Sequence, residues 1–125
     1  MTEVQSRRVL IAEDEALIRL DLREMLIEEG YEVVGEAGDG EEAIAQAPAA
    51  EPEVVLLDLN MPNMNGFEAL PHLRERLPAT KILILTTGQA PKERQRALES
   101  GADGFIVKPA RVFALDDEIQ AALAA

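Results

Sequence analysis

This sequence predicts an α/β domain built on a parallel sheet, and three observations carry that reading. Five short apolar runs, at residues 9–12, 33–34 with their flanks, 54–57, 82–85 and 105–107, alternate with longer stretches of helical period, the pattern of successive strand–helix units. The first, third and fourth runs are continuously apolar, as expected of strands buried on both faces. Chemistry-bearing residues follow the runs directly: Glu13 and Asp14 after the first, Asp58 after the third, Thr86 after the fourth and Lys108 after the fifth. That is the carboxyl edge, where open α/β sheets place their ligands.

Each element has its own signal. The second run, YEVVGEAG, is weak and suits an edge strand. Ile18, Leu22, Met25 and Leu26 repeat at helical spacing and predict helix one, with Gly30 placed to end it in a left-handed residue. Asp39 and Glu42 resemble a capping box opening a short helix that ends before Pro48. Leu70, Leu73 and Leu77 predict a third helix after Gly66, which Pro71 should bend or loosen. Pro91 suits the first turn of a fourth helix, KERQRALES, closed by Gly101. Only Ala97 and Leu98 are apolar there, so weak packing and mobility are expected. Phe113, Leu115, Ile119 and Leu123 mark the last helix.

With 125 residues the chain reads as one domain, residues 1–125, with a core at about 8–124. No cysteine is present, which excludes disulfides and thiolate zinc sites. MTEVQSRR has no signal-like apolar stretch and no run of about 18 apolar residues occurs, so a cytoplasmic location is expected. Twenty-four acids against 12 bases give a formal charge of −12, which phosphate backbones would repel; direct nucleic-acid binding is not expected, nor is a membrane partner.

The strand-end acids imply a cation. Like charges about 4 Å apart repel by roughly 4 kcal/mol at an effective dielectric of about 20, so a carboxylate cluster persists by recruiting a cation or protons. Hard oxygen ligands suit Mg²⁺, and the crevice reads as a magnesium site containing a nucleophilic carboxylate. Elsewhere the signals are bland. His72 reads as a surface histidine, and Met61 and Met64 as loop filling. The glycines of GEAGDG read as a turn into helix two, since their spacing is not that of a dinucleotide fingerprint.

Four motifs in order, AED at 12–14, VVLLDLNMPNMNG around Asp58, LTT at 85–87 and VKP at 107–109, resemble the receiver domain of two-component response regulators, from about Arg8 to the C-terminus. The resemblance implies a doubly wound, flavodoxin-like sheet of five strands in order 2-1-3-4-5 with five flanking helices. It implies phosphorylation of Asp58 by a sensor histidine kinase or phosphotransfer protein, with Mg²⁺ held by Asp14, Asp58 and the Asn60 carbonyl, and by Glu13 through a water. Lys108 would bind a phosphoryl oxygen, Thr86 would move to hold another, and Phe105 would turn inward behind it. Lys108–Pro109 would be a cis peptide. The face of helix four, strand five and helix five would then be read by a downstream partner, an output domain absent from this chain, or a second copy. Chemistry would be confined to self-phosphorylation and self-dephosphorylation.

The chain departs from the family pattern at Glu13, where Asp is commoner, at Thr87, where a smaller residue is usual, and at Ala110, where an aromatic is frequent. The first half resembles receivers joined to RNA-binding antiterminator domains, and the segments around Asp58 and Thr86 those joined to DNA-binding helix-turn-helix domains. Two rival functions share parts of this pattern. Haloacid-dehalogenase-type phosphatases also use a strand-end Asp and Mg²⁺, but their general acid stands two residues on, where this chain has Asn60. A flavin carrier would need a hydroxyl-rich phosphate loop after strand one, and AEDEA would repel that phosphate. A degenerate, non-phosphorylated receiver is disfavoured because all the reactive groups are present.

Overall fold

The computed structural model describes residues 7–86, 91–108 and 112–124. Five strands, β1 (Arg8–Ala12), β2 (Glu32–Ala37), β3 (Val54–Asp58), β4 (Lys81–Thr86) and β5 (Gly104–Val107), alternate with five helices, α1 (Ala16–Glu28), α2 (Gly40–Ala50), α3 (Gly66–Arg76), α4 (Pro91–Glu99) and α5 (Val112–Ala124). The strands form one parallel sheet in the order β2-β1-β3-β4-β5, so the expected doubly wound topology is present. No helix among the described residues is long and apolar enough to cross a membrane.

Strand side chains alternate between two apolar layers, as the period of two requires. Leu10, Val55, Leu57, Ile82 and Ile84 face α2, α3 and α4, where they meet Ala43, Ala47, Leu70, Leu73 and Ala97. Val9, Ile11, Val54, Leu56, Leu83 and Leu85 face the other way, onto Leu22 and Leu26 of α1 and Leu115 and Ile119 of α5. β1, β3 and β4 are thus covered on both faces, while β2 is the half-exposed edge.

Helix ends follow local chemistry, with three corrections to the sequence reading. Gly30 and Gly101 take φ of +91° and +112°. Beyond each, the next N–H reaches back to the carbonyl five residues earlier, Tyr31 to Leu26 at 2.9 Å and Ala102 to Ala97 at 3.0 Å, the bond pattern that closes a helix on a left-handed glycine. The first correction is at α2, which does not stop before Pro48 but runs through it to Ala50. Pro48 lies in the final turn, where the missing donor costs one bond, and Glu51 then closes the helix in a left-handed conformation with its N–H on Ala47 O.

The second correction concerns the Asp39 cap. Its carboxylate accepts from Glu42 N at 2.8 Å, but the Glu42 carboxylate reaches back to Gly38 N at 3.0 Å rather than to Asp39, so the box is not reciprocal. A complete capping box opens α3 instead, with Asn65 and Glu68 each accepting the other's backbone N–H at 2.9 and 3.0 Å. α3 continues through Pro71, whose side is exposed. The third correction is Leu98, which is 47% exposed and stands outside the core, while Ala97 is the buried residue of α4. Two arginines add contacts there, Arg94 lying 5.2 Å over the Phe105 ring and Arg96 4.1 Å over Phe67.

α5 is tied to the start of β2 through Tyr31, a buried residue whose hydroxyl donates to Asp116 Oδ1 at 2.6 Å and accepts from Gln120 Nε2 at 3.1 Å. Burial, reinforced by the Asp116 carboxylate, pushes the phenol from 10.0 up to about 12. Because the folded value is raised, this contribution to stability is complete below pH 10 and is lost as pH rises through about 12. The chain has one tyrosine and no tryptophan, so the phenolate absorbance band reports this group alone. Its titration should be centred near 12 in the folded protein and fall in Asp116→Asn. A wild-type midpoint at the ordinary tyrosine value would contradict the burial and the carboxylate contact.

Candidate functional site

The sheet brings the strand ends together as the apolar runs foretell. Glu13 leaves β1 with its N–H on Ala37 O of β2 at 3.0 Å, Asp58 is the last residue of β3 opposite Leu85, and Thr86 ends β4 opposite Val107. Lys108 follows β5, its backbone N–H donating to Thr86 O at 2.7 Å. Glu13, Asp58 and Thr86 are buried, whereas Asp14 is exposed.

Glu13, Asp14 and Asp58 each offer a carboxylate oxygen, and these oxygens lie within 4.8 Å of one another. Lys108 Nζ bridges two of them, donating to Glu13 Oε1 at 3.0 Å and Asp58 Oδ2 at 3.2 Å. Burial alone would push the Lys108 ammonium down, but hydrogen bonds and charge from Glu13 and Asp58 outweigh it and hold the amine above its ordinary value. The other carboxylate oxygens are also engaged: Glu13 Oε2 accepts from Glu15 N at 3.0 Å and Asp58 Oδ1 from Asn60 N at 3.1 Å. Three carboxylates against one ammonium leave a double negative charge facing solvent through Asp14, and the donor set is oxygen alone. That combination fits a divalent hard cation such as Mg²⁺.

The remaining sequence-predicted residues divide between this cluster and its flank. Asn60 is two residues beyond Asp58, exposed. Phe105 is not at the cluster; it lies on β5 opposite Ile84, half-buried in the layer under α4 and covered by Arg94. His72 is exposed on α3, Met61 is buried and Met64 half-buried in the loop after β3. Thr87, the Lys108–Pro109 peptide, Ala110 and the Phe113 side chain lie outside the described residues.

Two residues of the site region escaped the sequence reading. Gly66 opens α3 so close to the end of β3 that an added Cβ would stand 2.3 Å from Asp58 O. The NG pair in the loop was a visible signal, but the close approach is a tertiary fact. Arg19, at the end of the first turn of α1, donates from Nη1 to Glu13 O at 2.6 Å and pairs with Glu36 of β2 at 3.5 Å.

Comparison with known proteins agrees with this geometry. Residues 9–120 match the response regulator receiver domain. The chain is 48% identical over 115 residues to the transcriptional regulatory protein PdtaR of Mycobacterium tuberculosis, covering 92% of this chain but only 54%, about half, of that relative's length. The chemotaxis protein CheY4 of Vibrio cholerae has a similar structure, with TM-score 0.88 and 37% identity over 94% of this chain and 99% of that one. So does the CheX–CheY–BeF3–Mg²⁺ complex from Borrelia burgdorferi, with TM-score 0.87 and 26% identity over 92% of this chain and 87% of that one. Five parallel strands in the order of a doubly wound sheet, acids and a lysine at their carboxyl ends, and the match along most of the sequence lead to one assignment: the chain belongs to the response regulator receiver domain family of two-component signalling.

Proposed function

We propose that this receiver domain takes a phosphoryl group onto Asp58 in a Mg²⁺-dependent reaction, from a phosphohistidine of a sensor kinase or phosphotransfer protein or from a small acyl phosphate. The observation that carries it is the Lys108 bridge between Glu13 and Asp58 inside a three-carboxylate cluster. Asp58 presents a buried carboxylate held from one side by Asn60 N–H and from the other by Lys108, so the nucleophile is oriented before the donor arrives. One of its oxygens forms the new P–O bond as the bond from phosphorus to the donor breaks. Lys108 then turns from the carboxylate to a phosphoryl oxygen.

Asp14, Asp58 and the Asn60 carbonyl would hold the ion, and Glu13 would contact it through a water. When bound, Mg²⁺ supplies charge neutralisation for the transferring group. The Borrelia burgdorferi complex, which holds BeF3 and Mg²⁺ on a related fold, supports this reading.

The signal leaves through α4, β5 and α5. Thr86 and Phe105 lie on adjacent strands, two register positions apart on the face toward α4, whose buried anchor is Ala97 alone. An acyl phosphate would draw the Thr86 hydroxyl toward it and open space for Phe105. α4 is the element that can shift at small cost, and a partner or second copy reads the state by its differential affinity. This reading treats the chain as a single cytoplasmic receiver domain with its core at about 8–124 and its output lying in another domain or protein. Treatment with acetyl phosphate and Mg²⁺ should change amide exchange across residues 91–101 and 104–107, with Asp58→Asn silent. Exchange changes confined to the loop after β3, or equal in the variant, would defeat the proposal.

A further inference from the structure

We infer that Arg19 is a positioning residue for the cation site, acting through the peptide that carries Asp14; the inference rests on the Mg²⁺ reading above. Three consecutive peptides around Glu13 are each held. The peptide before it donates Glu13 N–H to Ala37 O at 3.0 Å. The peptide after it, which joins Glu13 to Asp14, accepts at its carbonyl from Arg19 Nη1 at 2.6 Å. The next donates Glu15 N–H to the buried Glu13 Oε2 at 3.0 Å.

Asp14 therefore hangs between two fixed peptide planes although its own side chain is exposed. Of the three ties, only the one to Arg19 comes from a side chain that could be replaced without disturbing the sheet or the cluster itself. Arg19 is in turn held. Its Nε lies 3.5 Å from Glu36 Oε1, and Arg23 Nε lies 3.6 Å from Glu36 Oε2, so β2 braces the guanidinium from behind. The Arg19 side chain is 24% exposed, and the bond to the carbonyl is charge-assisted and short. Residues that orient a metal ligand contribute to affinity without touching the ion.

Charge alone makes the opposite forecast, which gives the test its edge. Removing a cation beside an acidic site should tighten Mg²⁺ binding if Arg19 acts only through its field. Removing a positioning contact should weaken it. Mg²⁺ is titrated calorimetrically into the wild type, Arg19→Gln, Arg19→Lys, Glu36→Gln and Asp14→Asn, and the thermal midpoint of each is recorded in EDTA.

The expected result is about tenfold weaker Mg²⁺ binding in Arg19→Gln. Partial recovery is expected in Arg19→Lys, which retains a charged donor, and a smaller loss in Glu36→Gln, which removes the brace and leaves the donor. Binding unchanged or tightened in Arg19→Gln overturns the inference, as does a lower melting temperature with no change in affinity. If Arg19→Gln does not fold, Arg19→Lys decides by the same criterion of affinity, since it keeps the charge and changes only the donor geometry. Absence of Mg²⁺ binding in the wild type, or binding indifferent to Asp14→Asn, would instead sink the proposed cation site itself.

Discussion

Lys108→Met should lower stability in EDTA by about 2–3 kcal/mol and impair phosphoryl uptake, while Mg²⁺ binding stays equal or tightens. Removing one partner of a buried ion pair costs roughly 3–5 kcal/mol because the other charge is left uncompensated. Here Glu13 is fully buried and Asp58 is 1% exposed, so both would lose their ammonium with little access to water. A value at or just below that range applies because Lys108 is itself 16% exposed and Glu13 keeps the Glu15 N–H.

The effect on the ion has the opposite sign, since a positive neighbour has gone from the cluster. Added Mg²⁺ should therefore recover part of the lost stability in the variant. Because the Lys108 amine is held above its usual 10.5, its contribution is complete below that pH and disappears only as pH rises through the raised value. The gap between wild type and variant should thus persist across neutral pH and close only in strong alkali. Urea denaturation with and without Mg²⁺ measures all of this, and equal stability in EDTA would contradict the ion-pair account.

Gly66→Ala should cost about 2–3 kcal/mol and lower Tm by roughly 10 °C. The glycine is needed for space rather than for an unusual φ. Its missing Cβ would stand 2.3 Å from Asp58 O and 2.9 Å from Leu59 Cα, and both are backbone atoms that cannot turn aside. The Gly66 N–H also donates to Leu59 O at 3.1 Å, so moving α3 away would break that bond and carry the end of β3 with it. Phosphoryl uptake should fall alongside stability, because the displaced atoms belong to Asp58. Gly38→Ala is the control: its Cβ would meet only the Glu42 carboxylate, at 3.7 Å and beyond. Circular-dichroism melts of the two variants that superimpose would refute the close-approach argument.

What could be read in the chain and what could not divides along physical lines. The buried strands announce themselves because continuous apolar runs are what two-sided burial demands, and residues that end such runs necessarily share one edge. Asp58, Glu13 and Lys108 are legible on that ground, since each directly follows such a run. Leu98 misled because apolarity was counted without direction; one residue from Ala97 is about 100° around the helix, which turns it out of the core. Pro48 misled because a proline in the last turn forfeits only one bond, not a helix.

Asn65 and Glu68 carry the same local grammar as Asp39 and Glu42, and which pair closes reciprocally depends on where each carboxylate finds an N–H. The remaining features are long-range. Tyr31 meets Asp116 across 85 residues, Arg94 covers Phe105 from a helix whose apolar content is slight, and Gly66 is crowded by a strand end. No periodicity reports such contacts, because each depends on how two elements dock.

The central claim is that Asp58 is the residue that becomes phosphorylated, and trapping the acyl phosphate chemically tests it most directly. The domain is treated with acetyl phosphate and Mg²⁺ and reduced with borohydride, which converts an aspartyl phosphate to homoserine, and the position of the change is read by peptide sequencing in a mass spectrometer. Homoserine at position 58, absent when EDTA replaces Mg²⁺, is the predicted result. An unaltered Asp58, with reduction at Asp14 or Glu13 or nowhere, would contradict the account.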